Sequence, residues 1–413
     1  MTRGALILLD ASKKCNSSLY VYAARCLGLR PTILSAHSIG HEHLAAEGVE
    51  VVTVDTSNLE ILIRECSRLH DIVGISAAGH TNDSYRMASK LCQHFRLPGP
   101  DTASIERCCD KLVQRQFLAD AGVPVIACRM AADAKEVESA AEEIGLPVIV
   151  RPYAGIGSTG KKLCRTVHEL AEHTTYLLNG KYTWWSSPRI LVEERVEGLR
   201  YSVHAIGDEI IGIGAADWGT PPDFVYGELS YPALLTNDQY ERIVDICLTG
   251  LDALGLGWGP TSIECLWTKW GPVVVEVNPG IAGTAAPRLV KLAYGIDLIT
   301  AQIGLAVGQE CHLPRRQSRA AIIRHLVADG DGTLEWIIGG SLAASLPGVD
   351  EVKFNVEPDS LIVRRGDHQD YIGHIIAASS SLDETETIIR RAVGLISWSI
   401  KPPRLAASYL WPN

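Results

Sequence analysis

Two apolar segments that each carry one glutamate, Pro260–Trp267 and Pro272–Asn278, are separated by Thr268-Lys269-Trp270-Gly271. A short turn of that composition between apolar runs predicts an antiparallel hairpin. With the turn centred there, Glu264 and Glu276 fall directly or nearly opposite each other. Asn278, two residues on, shares the face of Glu276. Like charges facing each other on buried strands are unfavourable unless something positive sits between them. A hard divalent cation with oxygen ligands meets that need, and Mg²⁺ shared with phosphate oxygens is the common case. Glu264, Glu276 and Asn278 are therefore the candidate metal ligands. The competing reading, one glutamate facing solvent on an exposed sheet, fits the mostly apolar Val273-Val-Val-Glu-Val-Asn-Pro279 less well.

A second signal is Arg151-Pro-Tyr-Ala-Gly-Ile-Gly-Ser-Thr-Gly160. Glycines allow close backbone approach, so amides can point at phosphate oxygens. Gly155-x-Gly157-x-x-Gly160 formally matches the dinucleotide fingerprint. That fingerprint, however, places its first glycine directly after the strand and opens a helix at once. Here Arg151–Ala154 intervene, and the next capping box comes at Thr166. Lys161–Cys164 reads as a returning strand, so the run is better read as a hairpin lid over a nucleotide. By itself the spacing fits a plain turn equally well. A third segment, Ile190-Leu-Val-Glu193-Glu194-Arg-Val196-Glu-Gly198, is an apolar strand ending in carboxylates. Alone it reads as an exposed strand end.

Around these segments the first hundred residues alternate strands and helices: Ala5–Leu9, Leu19–Leu27, Thr32–Leu34, Val49–Val54, Leu59–Leu69 and Asp71–Ser76. That rhythm implies a small parallel α/β domain. A helix is expected from Asp110 to Ala121, and capping boxes at Asp133-x-x-Glu136 and Thr166-x-x-Glu169 open two more. After Pro314 come strands at Ala320–Val327, Val352–Val356, Leu361–Arg364 and Tyr371–Ala377, then a helix from the box Ser381-x-x-Glu384. This predicts three domains: residues 1–100, 101–313 with a lid over about 147–195, and 314–413, the last of α+β type.

Charge narrows the partners. The formal net charge is −10 and the densest basic groups are pairs, Arg315-Arg316 and Arg390-Arg391. A nucleic acid or an anionic membrane surface is therefore not expected as the main partner. Eleven dispersed cysteines without C-x-x-C fit reduced thiols in a cytoplasm. The Cys108-Cys109 pair reads as helix packing. The run Ala5–Leu9 is too short for a signal-peptide core, and no stretch has the length of a spanning helix.

In this order and spacing the segments resemble the ATP-grasp superfamily over nearly the whole chain, and most closely its carboxylate–amine (L-amino-acid) ligases. The match runs from Asp110-Lys111 through Leu146-Pro-Val-Ile-Val-Arg151-Pro, Gly155–Gly160 and Glu193-Glu194-x-Val196 to Glu264 and Glu276-Val-Asn278-Pro279. The resemblance implies ATP and Mg²⁺ as cofactors, with Mn²⁺ as an alternative metal. It places Lys111 and Arg151 on phosphate oxygens, and Gly155, Gly157, Ser158, Thr159 and Gly160 in the covering lid. Glu193, Glu194 and Val196 would hold adenine. The substrates would be a small-molecule carboxylate and an amine, joined through an acyl phosphate, and a homodimer is an admissible assembly.

Three positions depart from the family pattern. Arg151 stands where a lysine is usual; it keeps the charge and adds a planar fork. Arg200 falls where a ribose-contacting glutamate is often found. Gly280 follows Asn278-Pro279 where the family often has an arginine on the substrate carboxylate or tetrahedral intermediate. Arg288 is the nearest cation that would substitute for it, or else a surface residue at a helix start; with Ser158 it completes the catalytic candidates. Two other readings stay open: a biotin-carboxylase-like carboxylase, and a nucleotide-binding regulatory protein without turnover. For substrate contacts the candidates are Trp218–Tyr226, Glu228 and Tyr231, with core packing as the alternative for the aromatic residues.

Overall fold

The computed structural model describes residues 4–10, 17–37, 40–78, 81–153, 159–180, 189–217, 219, 225–281, 285–311, 313 and 318–402. The chain divides into two compact units, each assembled from separate stretches. One comprises Met1–Ala127, Val196–Ala215 and Tyr231–Ser318; the other comprises Cys128–Arg195, Ala216–Ser230 and Arg319–Asn413.

In the first unit, strands Glu50–Thr53, Arg30–Ser35, Ala5–Asp10 and Ile72–Ala77 lie side by side in that order, and all are parallel. Every residue of Ala5–Asp10 is buried, the pattern of a parallel strand covered on both faces. Helices Ser17–Cys26, Leu59–Ser67 and Asn82–Phe95 accompany the sheet. The same unit carries the expected hairpin, Pro260–Thr268 with Gly271–Pro279, and Leu199–Ile206 continues it on the Pro260–Thr268 side. Gly271–Pro279 is left as the terminal strand of its sheet. One side of these strands is apolar: Tyr201, Val203, Ile263, Cys265, Val274 and Val277 pack with Leu118, Ile243, Cys247 and Leu251. Cys108 and Cys109 are buried in that core at the end of helix Thr102–Cys109.

In the second unit, Cys128–Ala131, Ile190–Glu194, Val148–Pro152 and Lys162–Cys164 form an antiparallel sheet in that order. Helices Ala134–Ile144 and Val167–Asn179 contribute Val137, Ala141, Leu170 and Leu177 to its core. The antiparallel set Val349–Phe354, Tyr371–Ser379 and Ala320–Val327 packs against helix Leu382–Val393. Among the described residues, no single helix is long and apolar enough to cross a membrane.

Candidate functional site

The glutamate pair owes its alignment to a bulge. From the turn, Thr268 pairs with Gly271 and the register runs straight to Cys265 opposite Val274; continued, it would set Glu264 against Val275. One extra residue at that step places Glu264 opposite Glu276 and Ser262 opposite Asn278. The bulge also switches the alternation, so that Val274 and Val277 both reach the core while Glu276 and Asn278 stay on the other face, half-buried. Bulges that re-aim side chains in this way recur beside functional sites.

Glu276 is compensated from the helix Lys111–Asp120. Lys111 donates from Nζ to Glu276 Oε1 at 2.5 Å, and the two side chains are only 14% and 18% exposed. A cation at the first helical position opposes the helix dipole. The carboxylate of Glu276 offsets that, as does Asp110, which caps the helix by accepting the Leu112 and Val113 amides at 3.0 and 3.1 Å. Lys111, Glu264, Glu276 and Asn278, expected to act together, therefore lie on neighbouring elements of one unit.

The donors suit a hard divalent cation: two carboxylates in register and one amide oxygen, with no sulfur or nitrogen on that set. Among the described residues no group of three or more His, Cys, Asp or Glu is arranged to hold a metal alone. A cation here would complete its shell with neutral ligands, which is how Mg²⁺ is used beside phosphates.

The second cluster lies in the other unit. Arg151 on Val148–Pro152 meets Glu193 on Ile190–Glu194 in a two-pronged pair, Nε to Oε2 at 2.8 Å and Nη2 to Oε1 at 2.9 Å. Both are largely buried, 13% and 3% exposed. A planar fork on a carboxylate fixes orientation as well as charge, so two residues expected at opposite ends of a nucleotide are joined to each other. Glu194 is exposed at the strand end, and Val196 and Thr159 are half-buried. Gly160 accepts a hydrogen bond from the His173 ring at 2.9 Å. Gly155, Gly157 and Ser158 lie outside the described residues, as do Trp218 and 220–224.

Arg288 projects from the exposed side of helix Ala286–Tyr294, whose buried side is Ala286, Leu289, Val290 and Ala293. Tyr231 is completely buried, its ring tilted against His204 and edge-on to Tyr294, and belongs to the core. Glu228 accepts from Arg324 Nε at 2.8 Å. Arg324 gave no sequence signal, nor did Gln114 and Arg115, which reach the backbone of the glutamate-bearing strand.

His204 on Leu199–Ile206 stands opposite Ser262. It is 1% exposed, and burial pushes its pKa down to about 4, as it does for His325 in the second unit. Both rings stay neutral when folded, while in the unfolded chain each takes up a proton near pH 6.5. Stability is therefore lost as pH falls from 6.5 toward 4, by at most about 3 kcal/mol for each ring. Thermal melts across that range should show the fall, and His204→Gln should make it shallower; an unchanged slope would exclude His204 as a source.

Residues 110–214 match the family described as carbamoyl-phosphate synthase L chain, ATP binding domain, and residues 324–401 match L-amino acid ligase C-terminal domain 2. The uncharacterized protein y4rH of Sinorhizobium fredii is 51% identical over 403 residues, covering 97% of this chain and 84% of that protein. Human carnosine synthase 1 is 24% identical over 277 residues, 62% of this chain; the match spans 33% of the synthase. The crystal structure of L-amino acid ligase from Bacillus licheniformis superposes with a TM-score of 0.81 at 19% identity, over 97% of this chain and all of that one.

Fold and matches define an ATP-grasp protein. The chain belongs to the L-amino-acid-ligase-like branch of the ATP-grasp superfamily, a family of ATP-dependent ligases.

Proposed function

We propose that this ligase joins a carboxylate, that of an amino acid, to an amine through an acyl phosphate, releasing ADP and phosphate. The observation that carries the reading is the register of Glu264 with Glu276, with Lys111 on Glu276. The oxygen set would hold Mg²⁺, or Mn²⁺ in its place; bound there, the cation would neutralise charge on the nucleotide phosphates. Lys111 is poised to exchange Glu276 for a phosphate oxygen. Arg151, held in one orientation by Glu193, takes a second phosphate contact. Amides of Gly155, Gly157, Thr159 and Gly160, with Ser158, cover the nucleotide, and Glu193, Glu194 and Val196 bind adenine.

A carboxylate oxygen attacks the γ-phosphorus as the bond to the ADP oxygen breaks. The amine nitrogen then attacks the acyl carbon, phosphate leaves, and the nitrogen loses a proton. Positioning and electrostatics suffice for the first step. Arg288 is the cation assigned to the intermediate's developing charge. In this reading the functional domains are residues 1–100, 101–313 and 314–413, with residues 101–313 drawing on both compact units. The ten free cysteines among the described residues suit a reducing cytoplasm.

Gly280 favours a second reading, a nucleotide-binding regulator without turnover. Product analysis with pooled amino acids tests the first: amino-acid-stimulated ADP and phosphate are expected. Stoichiometric AMP and pyrophosphate would overturn the mechanism. Absence of any stimulated release would favour the regulator.

A further inference from the structure

The strand Gly271–Pro279 ends its sheet, so its outer backbone groups need partners from elsewhere. At Val277 one side chain serves both backbone groups. Gln114 donates from Nε2 to the Val277 carbonyl at 2.6 Å and accepts the Val277 amide on Oε1 at 2.9 Å. Its Nε2 also donates to the Cys108 carbonyl at 2.6 Å, and the Cys108 thiol donates to the Val277 carbonyl at 3.3 Å. Gln114 and Val277 are each 1% exposed. The amide thus does the work of a neighbouring strand, and its orientation is fixed: two carbonyls require the nitrogen on one side, one N–H requires the oxygen on the other.

Val277 is the residue between Glu276 and Asn278. We propose that Gln114 is a positioning residue for the oxygen donors: by gripping Val277 it sets the rotation of the strand, and with it the direction of both flanking side chains. The same helix grips the two preceding residues, with Lys111 on the Glu276 carboxylate and Arg115 Nη2 on the Val275 carbonyl at 3.4 Å. Three consecutive residues, the bulged one among them, are held by one helical face at i, i+3 and i+4. This inference rests on the reading of Glu276 and Asn278 as metal ligands.

The test is Mn²⁺ binding, followed by electron paramagnetic resonance in the presence of a non-hydrolysable ATP analogue. Gln114→Met keeps the length and removes every hydrogen bond. It should weaken Mn²⁺ binding tenfold or more, about 1.4 kcal/mol. The Mg²⁺ concentration for half-maximal turnover should rise in parallel, with kcat at saturating Mg²⁺ largely regained. Leu118→Ala, a cavity in the core from the same helix, should lower the melting temperature without moving Mn²⁺ affinity. Where the methionine variant does not fold, Gln114→Asn carries the comparison, since it keeps the amide but shortens its reach.

Wild-type Mn²⁺ affinity in the Gln114 variant would overturn the inference, as would an equal shift in Leu118→Ala. Glu276→Gln in the same assay separates the two layers. If it weakens Mn²⁺ binding and the Gln114 variant does not, only the positioning role fails. If Glu276→Gln leaves Mn²⁺ binding intact, the metal reading fails and this inference falls with it.

Discussion

Glu276→Gln is expected to lower ADP formation by on the order of a thousandfold or more while leaving the fold intact. Glutamine keeps the shape of a half-buried side chain and removes the charge on which both the Lys111 contact and the proposed cation depend. Each factor of ten is about 1.4 kcal/mol of transition-state stabilisation, so the loss of one of two carboxylate ligands reaches this range. Asn278→Ala should do less, because a neutral ligand supplies less Coulomb energy than a carboxylate. A purely structural ion pair predicts something different. If Glu276 served only to neutralise Lys111, removing both charges in Lys111→Met/Glu276→Gln would recover activity. As a metal ligand it would leave the double variant as impaired as the worse single one. Near-wild-type turnover of Glu276→Gln at saturating Mg²⁺ would remove the central support of the proposed function.

The hairpin was legible because its information is local: turn residues flanked by apolar runs, and glutamates at countable offsets. Its bulge was not, since a straight count from Thr268 and Gly271 sets Glu264 against Val275. Helix starts behaved similarly. Asp133, Thr166 and Ser381 cap their helices by accepting the amides of Glu136, Glu169 and Glu384, as read from the sequence. The return bonds of those glutamates land one residue earlier, on the Ala132 amide, the Arg165 amide and the Ser380 hydroxyl. Among the described residues, the one complete capping box is Thr236 with Gln239. It opens the 18-residue helix Asn237–Leu254, which is absent from the elements expected of the sequence. The buried residues Ile243, Cys247, Leu251 and Leu254, spaced four, four and three apart, were a readable signal for it.

What the sequence withheld is contact across long separations. Arg151 and Glu193 are 42 residues apart and meet because Ile190–Glu194 pairs beside Val148–Pro152. Gln114 and Val277 are 163 apart. No periodicity encodes such pairings, because they depend on sheet order and on which helix covers an edge. Composition likewise could not say which aromatic residues are core, and Tyr231 is fully buried.

The missing arginine after Asn278-Pro279 has a physical cause that makes a second large effect testable. Gly280 has φ +111, a conformation that side chains rarely adopt, and a Cβ placed on it would stand 2.0 Å from the ring and hydroxyl of Tyr85. That hydroxyl accepts the Ile281 amide at 3.2 Å, so tyrosine and glycine are interlocked. Gly280→Ala should therefore cost more than about 3 kcal/mol, combining backbone strain with overpacking, and Gly280→Arg at least as much. Tyr85→Ala removes the obstacle but leaves the Ile281 amide without its acceptor, so it is destabilising on its own. Because the residues touch, the double variant Tyr85→Ala/Gly280→Ala should be less destabilised than the sum of the two, with a coupling above about 1 kcal/mol in urea unfolding. Strict additivity would show that Tyr85 does not exclude a side chain at residue 280. Coupling of the expected size would mean that an arginine cannot be restored there by one substitution, and that any cation serving its role must come from another position.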